Sequence, residues 1–105
     1  MKNTRQSFEE HCYGVLKSVP KGKVTTYSSI ARAFNSRACR AVGAAMKKNR
    51  DITVPCHRVV LSSGEVGNYN RGRATKERIL RSEGVKIVDG KINLGVYSHK
   101  IGKGR

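Results

Sequence analysis

Apolar side chains recur at every third or fourth position from Phe8 to Val19, which is the spacing of one helix face. Ser7, followed three residues later by Glu10, forms a capping box at the start of this run. A Pro-Lys-Gly sequence ends the run, because neither proline nor glycine favours a continuing helix. The pattern therefore predicts a helix over residues 7–18.

The next segment predicts a short strand followed by two helices. Residues 24–26 are β-like in character, and Thr26 can cap a helix over residues 27–34. Residues 35–36 predict a tight turn, after which the helical pattern returns over residues 37–48. Two helices joined by a short turn indicate a helix-turn-helix.

A hairpin-like turn follows in the middle of the chain. Apolar residues 59–61 and residues 65–66 flank a Ser-Ser-Gly sequence, and residues 67–73 form a polar loop bounded by glycine. This arrangement is typical of a wing beside a helix-turn-helix. We therefore predict a mainly helical fold, a winged helix-turn-helix-like domain with a small β element.

The last clear helix is predicted to begin at a Thr75 cap and to end near Glu83, with Gly84 as its stop. The Asp-Gly pair that follows predicts a short hairpin. The end of the chain is basic and contains glycine. We therefore predict one domain over residues 1–88 and a basic, flexible tail over residues 89–105.

The composition is strongly basic, since the 105 residues include 22 Lys and Arg against 7 Asp and Glu, a formal net charge of +15. Small soluble domains carry a net charge of about 2 to 8 in magnitude, and a larger charge opposes compaction unless a polyanion neutralises it. Nucleic acid is therefore the expected partner. A membrane is not expected, because no run approaches the roughly 18 apolar residues of a spanning helix.

The predicted helix over residues 37–48 combines cationic residues with unusually small ones. Arg37, Arg40 and Lys47 lie among alanine and glycine, and no acid appears before Asp51. Small side chains let a helix backbone approach a DNA groove closely without base-specific contacts. An alanine-rich helix packed on its neighbours would explain the small residues, but it would not explain the one-sided charge.

The sequence Pro55-Cys56-His57-Arg58 places a thiol beside an imidazole and a guanidinium. The thiolate is the reactive form of cysteine, and a neighbouring base or positive charge lowers the thiol pKa from about 8.5. Cys56 is therefore a candidate nucleophile, with His57 and Arg58 as the groups that would activate it. The alternative is a small buried cysteine at the start of a strand.

Cys12 and Cys39 bring the cysteine count to three, an odd number without paired spacing. A disulfide framework is not expected, which favours a reducing intracellular location, cytoplasmic or at the nucleoid. Neither Cys-x-x-Cys nor His-x-x-x-His spacing occurs, so no metal site is predicted. We expect both cysteines to pack in the core.

Five ordered motifs match a known family. They are Gly-Lys-Val-Thr-Thr-Tyr at residues 22–27, residues 39–46 with Asn49, residues 54–60, Ser63-Gly64 with Gly67-Asn68-Tyr69, and Glu83-Gly84. On these motifs the chain resembles the O6-alkylguanine-DNA alkyltransferases, also called methylated-DNA-protein-cysteine methyltransferases, over about residues 7–88, and in particular their catalytic carboxy-terminal-type domain.

The resemblance implies a DNA repair protein of the alkyltransferase fold. Such a protein binds double-stranded DNA through the minor groove with little sequence preference and flips O6-alkylguanine out of the stack. It transfers the alkyl group irreversibly to its own cysteine, so each molecule reacts once. The resemblance also implies a monomer that needs no cofactor.

The resemblance assigns a role to each of the reactive side chains. Cys56 is similar to the alkyl acceptor, and His57 to the base that deprotonates it through a bridging water. Glu83 is similar to the carboxylate that orients this imidazole. Tyr27 resembles the tyrosine that hydrogen-bonds the flipped base, and Arg40 the finger that fills the gap left in the DNA.

Further positions are implied to bind DNA or the base. Asn49 resembles a hinge asparagine that links the groove-binding helix to the cysteine loop, and Tyr69 lies in the pocket-forming loop. Backbone groups of Cys56, Val59 and Asn70 are implied to contact the base edge. The remaining DNA contacts are expected from Thr26, Arg37 and Lys47.

The chain also departs from the family pattern. Most relatives carry an additional amino-terminal domain, which we do not expect here. Arg50-Asp51 follows Asn49 where relatives often have proline, which predicts a less rigid cysteine loop. Arg71 places a bulky cation at the pocket rim, which predicts that methyl adducts are accepted better than bulky ones.

Three other functions remain open from the residues alone. A damage sensor would flip the alkylguanine without transfer, as relatives with another residue in place of the cysteine do. A winged-helix regulator would explain the charge but not Cys56, His57 and Glu83. A cysteine hydrolase would not need a charge of +15.

Overall fold

The computed structural model describes residues 8–34 and 37–101 and shows a mainly helical fold with one small sheet. The predicted fold is therefore confirmed, whereas the capping Ser7 and the turn at residues 35–36 lie outside the described residues. The elements in chain order are α1 (Phe8–Lys17), β1 (Thr25–Thr26), α2 (Tyr27–Arg32), α3 (Cys39–Lys48), a 3-10 turn (Cys56–Arg58), β2 (Val59–Val60), α4 (Arg73–Ser82) and α5 (Leu94–Tyr97).

The sheet joins two distant segments in parallel, because β1 pairs with β2 in the register Thr25 to Val59 and Thr26 to Val60. The predicted turn after β2 is present, since the Leu61 amide donates to the Glu65 carbonyl at 2.9 Å. The two arms of that turn do not form a two-stranded hairpin, however, because the partner of β2 is β1. This pairing holds the chain that leads into α2 beside the chain that follows the 3-10 turn.

Two apolar cores lie on either side of the sheet, as the two-residue period of a strand requires. Val59 belongs to the first core and Val60 to the second. The first core also contains Cys12, Leu16, Val19, Ile30, Ala31, Val42, Ala45, Met46, Val54 and Cys56. The second contains Val24, Val66, Leu80, Val85, Ile87 and Ile92. The candidate nucleophile therefore lies at the edge of the larger core.

The other two cysteines differ in environment. Cys12 is fully buried in the first core, as predicted, and burial raises the pKa of its thiol to about 11. Cys39 is only half-buried, and its Sγ lies 3.3 Å from Ser28 Oγ. All three cysteines are free thiols.

Thr26 and Gly84 act as the predicted helix-end signals, whereas Thr75 does not. Thr26 caps α2, because its Oγ1 accepts a hydrogen bond from the Ser29 amide at 3.0 Å. Gly84 ends α4 with a φ of +95°, and the Val85 amide returns to the Leu80 carbonyl at 3.0 Å. The predicted Thr75 cap is wrong, since α4 begins at Arg73, before that position.

Residues 89–101 pack on the rest of the domain, beyond the boundary predicted at residue 88. Asp89 and Gly90, with φ of 52° and 73°, form the predicted hairpin turn. Ile92 is only 4% exposed, and α5 follows it. Val24 then exchanges backbone hydrogen bonds with Tyr97 and His99, at 2.9 and 2.8 Å. None of the described helices has the length and apolar character needed to cross a membrane.

Candidate active site

Cys56 is the first residue of the 3-10 turn that leads into β2, and it is 9% exposed. Its amide donates to the Val54 carbonyl at 2.8 Å, and its carbonyl accepts from the Val59 amide. The Arg58 amide donates to the Pro55 carbonyl at 2.9 Å. These local bonds fix the backbone on both sides of the thiol.

Asn49 connects the end of α3 to this thiol. Its Nδ2 donates to Cys56 Sγ at 3.0 Å and to the Asp51 carbonyl at 3.1 Å, while its Oδ1 accepts from the Asp51 amide at 2.9 Å. A hydrogen bond donated to sulfur favours the thiolate. The hinge position implied by the resemblance therefore has a direct contact with the candidate nucleophile.

The segment after Asn49 is ordered by side-chain to backbone bonds in place of proline. Asp51 Oδ1 accepts from the Thr53 amide at 2.9 Å and from Thr53 Oγ1 at 2.7 Å. These bonds hold the pKa of Asp51 below its ordinary value. Arg50 Nη1 donates to the Lys47 and Asn49 carbonyls at 3.2 and 3.3 Å. The prediction that Arg50-Asp51 loosens the loop is therefore not supported by these contacts.

Glu83, at the end of α4, contacts both residues that follow Cys56. His57 Nε2 lies 2.9 Å from Glu83 Oε2, and the two side chains are 13% and 9% exposed. Arg58 donates to the same carboxylate through Nε at 3.0 Å and Nη2 at 2.8 Å. Its Nη1 donates to the Val19 carbonyl at 2.9 Å. The guanidinium expected to activate the thiol is therefore paired with Glu83.

The electrostatics of the site favour neutral His57 and ionised Glu83. Burial alone would raise the pKa of Glu83, but hydrogen bonds and charge from Arg58 and His57 bring it below its ordinary value. Burial lowers the pKa of His57, and the opposing effect of Glu83 does not cancel it. With Glu83 ionised, the His57 proton lies on Nε2 and leaves Nδ1 with a free lone pair.

The thiol itself is neutral at rest. Burial raises the pKa of Cys56, although the hydrogen bond from Asn49 and the charge of Lys76 oppose the rise. A base is therefore needed to form the thiolate, and His57 in its neutral form can act as one.

Lys76 is the site residue that sequence reasoning missed. It lies in α4 with no exposed surface, and its Nζ donates to the Asn68 carbonyl at 2.9 Å. Burial lowers its pKa to about 8, while the charge of Cys56 opposes that shift. Lysine is normally a surface residue, so the residue type does not predict that Lys76 is buried. Its position does indicate burial, because Lys76 and the buried Leu80 occupy adjacent turns of one helix face.

Two pockets adjoin Cys56, and both are bounded by Tyr69 and Asn70. The Tyr27 pocket, about 390 Å³ in volume, is lined by Tyr27, Arg40, Gly43, Ala44, Met46, Lys47, Cys56, Asn68, Tyr69 and Asn70. The Arg71 pocket, about 370 Å³, is lined by Asn49, Arg50, Asp51, Ile52, Val54, Cys56, His57, Tyr69, Asn70, Arg71 and Ile79. A hydrogen bond from Asn70 Nδ2 to the Met46 carbonyl, at 3.2 Å, attaches the shared loop to α3.

Four of the predicted DNA-binding positions, Arg40, Lys47, Tyr69 and Asn70, line the Tyr27 pocket. Arg40 and Lys47 are exposed at its edge. Tyr27 itself is half-buried, and burial together with the charge of Cys56 raises the pKa of its phenol. The phenol is therefore protonated at neutral pH and can donate a hydrogen bond into the pocket.

Three other predicted positions lie outside both pockets. Arg37 is exposed just before α3. Val59 is fully buried, and its amide is already bonded to the Cys56 carbonyl. Thr26 is 6% exposed, and its hydroxyl is engaged in the cap of α2 with Ser29. The structure thus gives Thr26 a clear structural contact and little surface for DNA.

Comparisons with known proteins agree with this geometry. A family model described as "6-O-methylguanine DNA methyltransferase, DNA binding domain" matches residues 7–85. The methylated-DNA--protein-cysteine methyltransferase of Homo sapiens is 51% identical over 83 residues, which cover 77% of this chain and 39% of the human protein. The chain spans 39% to 45% of the length of two such curated relatives and 30% of a bifunctional methyltransferase/endonuclease of Picrophilus torridus.

Solved structures give the same result for the fold. S. pombe Atl1, in complex with damaged DNA containing O6-carboxymethylguanine, is similar with a TM-score of 0.78 at 33% identity, covering 89% of this chain and 94% of that chain. Mycobacterium tuberculosis OGT in complex with DNA has a TM-score of 0.71 at 33% identity, covering 76% and 50%. Since the family model covers residues 7–85 of 105, the chain belongs to the 6-O-methylguanine DNA methyltransferase family through its DNA-binding domain.

Proposed function

We propose that this protein binds double-stranded DNA containing O6-alkylguanine, flips the damaged base into the Tyr27 pocket, and transfers the alkyl group irreversibly to Cys56. The observation that carries the proposal is the position of Cys56 between two pockets, next to His57 with its Glu83 partner. The protein acts as a monomer without cofactor. Each molecule reacts once, since a thioether has no easy return path.

The reaction is a direct displacement at the alkyl carbon. His57 takes the thiol proton through a bridging water, and the Glu83 carboxylate stabilises the resulting imidazolium. The sulfur of Cys56 forms a bond to the alkyl carbon while the bond from that carbon to O6 breaks. The electron pair moves onto the guanine, where the Tyr27 phenol donates a hydrogen bond to the developing charge.

The exposed side of α3 suits contact with the minor groove. Arg40 and Lys47 supply positive charge, and the small side chain of Ala44 allows close approach to the helix backbone. A Cβ added at Gly43 would meet nothing within 4 Å, so internal packing does not require glycine there. Close approach of another molecule to this face of α3 would explain why glycine occurs there. We propose that this surface lies against DNA, with Arg40 filling the gap that the flipped nucleotide leaves.

A second candidate is a sensor that flips alkylguanine without transfer. It is favoured by the similarity to S. pombe Atl1, whose chain is covered to 94%. Against it stands Cys56, which is retained together with the contacts of His57 and Asn49. We therefore place transfer first.

One experiment separates these functions. The protein is incubated with duplex DNA containing O6-methylguanine, and the peptide bearing Cys56 is weighed by mass spectrometry. A gain of one methyl group on that peptide is expected, with none in Cys56→Ser. Binding to the damaged duplex without a gain would indicate the sensor, and sequence-selective binding to undamaged DNA would indicate a regulator.

A further inference from the structure

Cys56 and His57 line the Arg71 pocket, but a methyl group would occupy little of its volume. When guanine occupies the Tyr27 pocket, the sulfur of Cys56 and O6 must lie in line at the alkyl carbon. Any larger group on that carbon then projects to the side. The Arg71 pocket opens beside Cys56, across the wall that Tyr69 and Asn70 form. It is therefore the space available to such a group.

The size of this pocket does not limit the substituent. Its volume of about 370 Å³ far exceeds that of a few atoms. Arg71 is exposed at its edge, so its side chain can move into solvent. The expected preference for methyl over bulky adducts stays a prediction, and among small adducts the charge of Arg71 is the property that can discriminate.

The charge around this pocket is predominantly positive. Arg50 and Arg71 both line it, and the Arg50 guanidinium donates to the neutral carbonyls of Lys47 and Asn49. Arg71 forms no ion pair with a carboxylate in the described part of the chain. The one acidic lining residue, Asp51, has Oδ1 already engaged by Thr53. Val54 and Ile79 provide an apolar wall, which strengthens charge interactions nearby.

We propose that the Arg71 pocket selects alkyl adducts that carry a negatively charged group, of which O6-carboxymethylguanine is the simplest, and that Arg71 is the specificity-determining residue. This inference rests on the proposed transfer to Cys56. The carboxylate lies toward the Arg71 guanidinium while its methylene carbon faces the sulfur. Because a guanidinium matches a carboxylate in geometry as well as charge, it discriminates carboxylate from amide.

The covalent step balances in the same way as methyl transfer. The sulfur forms a bond to the methylene carbon, and the bond from that carbon to O6 breaks, with its electron pair passing to guanine. The proton that Cys56 loses is balanced by the proton that N1 of guanine gains once the bond to O6 has broken. The products are S-carboxymethylcysteine and a restored guanine in the DNA, and no oxidant or cofactor takes part.

The test compares three adducts in the same duplex: O6-methyl, O6-carboxymethyl and O6-carbamoylmethyl, the last being the neutral amide of equal size. Single-turnover rates are measured for wild type, Arg71→Gln, Arg71→Glu and the control Arg78→Gln, an exposed arginine of α4 outside both pockets. The ratio of carboxymethyl to carbamoylmethyl rates should fall about 5-fold in Arg71→Gln and about 20-fold in Arg71→Glu, with methyl transfer and the control little changed.

Each other outcome has a defined meaning. An unchanged ratio in both Arg71 variants would overturn the proposal. An equal fall for all three adducts would also overturn it, because Arg71 would then act through DNA binding. If wild type transferred no adduct at all, the proposed function itself would have failed, and this inference with it. Melting temperatures of the variants verify that the fold is intact.

Discussion

Glu83 binds two neighbours at once, because its carboxylate accepts hydrogen bonds from both Arg58 and His57. The guanidinium compensates the buried negative charge, and the imidazole is thereby fixed with Nε2 protonated. A basic Nδ1 is left for proton transfer. The sequence motif indicated the adjacency of Cys56 and His57, but the pairing of Arg58 with Glu83 depends on how α4 packs.

The pKa of His57 predicts how alkyl transfer varies with pH. Burial lowers this pKa below its ordinary value of 6.5, so the neutral base persists to lower pH than in a free histidine. The single-turnover rate should therefore stay level as the pH falls through 6.5 and decline only below it. Transfer reactions quenched at a series of times, between about pH 5 and pH 8, measure this dependence of the rate on pH. A decline centred above 6.5 would contradict it, provided that DNA binding is unchanged.

Lys76 is expected to stabilise the thiolate of Cys56. Its charge opposes the rise in the pKa of Cys56, and its amine is completely buried. Replacing it in Lys76→Met should raise the pKa of Cys56 further and slow alkylation by iodoacetamide by about 10-fold at neutral pH. The control Lys86→Met removes the same charge from an exposed position. Equal rates in both variants, with the fold retained, would exclude this role.

At the scale of the elements, α3 has one face packed in the core and an outer face on which small side chains leave the backbone accessible. Val42, Ala45 and Met46 are buried, whereas Arg40 and Lys47 are exposed. The sequence indicated both faces, because charge and small residues alternate with apolar ones at helical spacing. The paired pockets were not foreseeable from sequence, since they form where the loop containing Asn70 meets the end of α3.

Gly43→Ala separates packing from DNA contact. Alanine favours a helix over glycine by about 0.5 to 1 kcal/mol, and the new Cβ would meet nothing within 4 Å. The free energy of unfolding should therefore rise while affinity for duplex DNA falls. Gly14→Ala on α1, where a Cβ also meets nothing within 4 Å, should stabilise equally without loss of affinity. Equal affinity in both variants would show that Gly43 does not face DNA.

Local signals predicted helix ends well where they depend on one residue. Thr26 and Gly84 act as expected, because a hydroxyl cap and a positive φ are local properties. The Thr75 cap failed because the backbone turn at Gly72 starts α4 earlier. Ile92 is buried in the second core, a long-range contact that the local charge of the segment does not predict.

On the scale of the whole molecule, the parallel pairing of β1 with β2 holds two distant parts of the chain side by side. It fixes the segment that leads into Tyr27 beside the segment that follows Cys56, and both side chains line the Tyr27 pocket. These residues are therefore separate in sequence but close in space. The order of motifs identified the family, whereas the pairing itself is a long-range contact that no local pattern predicts.

The charge of +15 predicts strong dependence of DNA binding on salt. Each phosphate contact releases a counterion, so the logarithm of affinity should fall linearly with the logarithm of salt concentration, by about 0.9 per contact. Arg40→Gln and Lys47→Gln should each reduce this slope by about one contact. Fluorescence anisotropy over a salt series measures it, with Lys86→Gln as a control. A flat salt response would refute the electrostatic part of the account.

The most direct test of alkyl transfer to Cys56 is its stoichiometry. Increasing amounts of duplex DNA containing O6-methylguanine are added to a fixed amount of protein, and the intact mass is followed to completion. The account predicts a plateau at one methyl group per chain, located on Cys56, with restored guanine in equal amount. No methyl gain on Cys56, or restoration of guanine in the duplex that continues beyond one equivalent per chain, would contradict it.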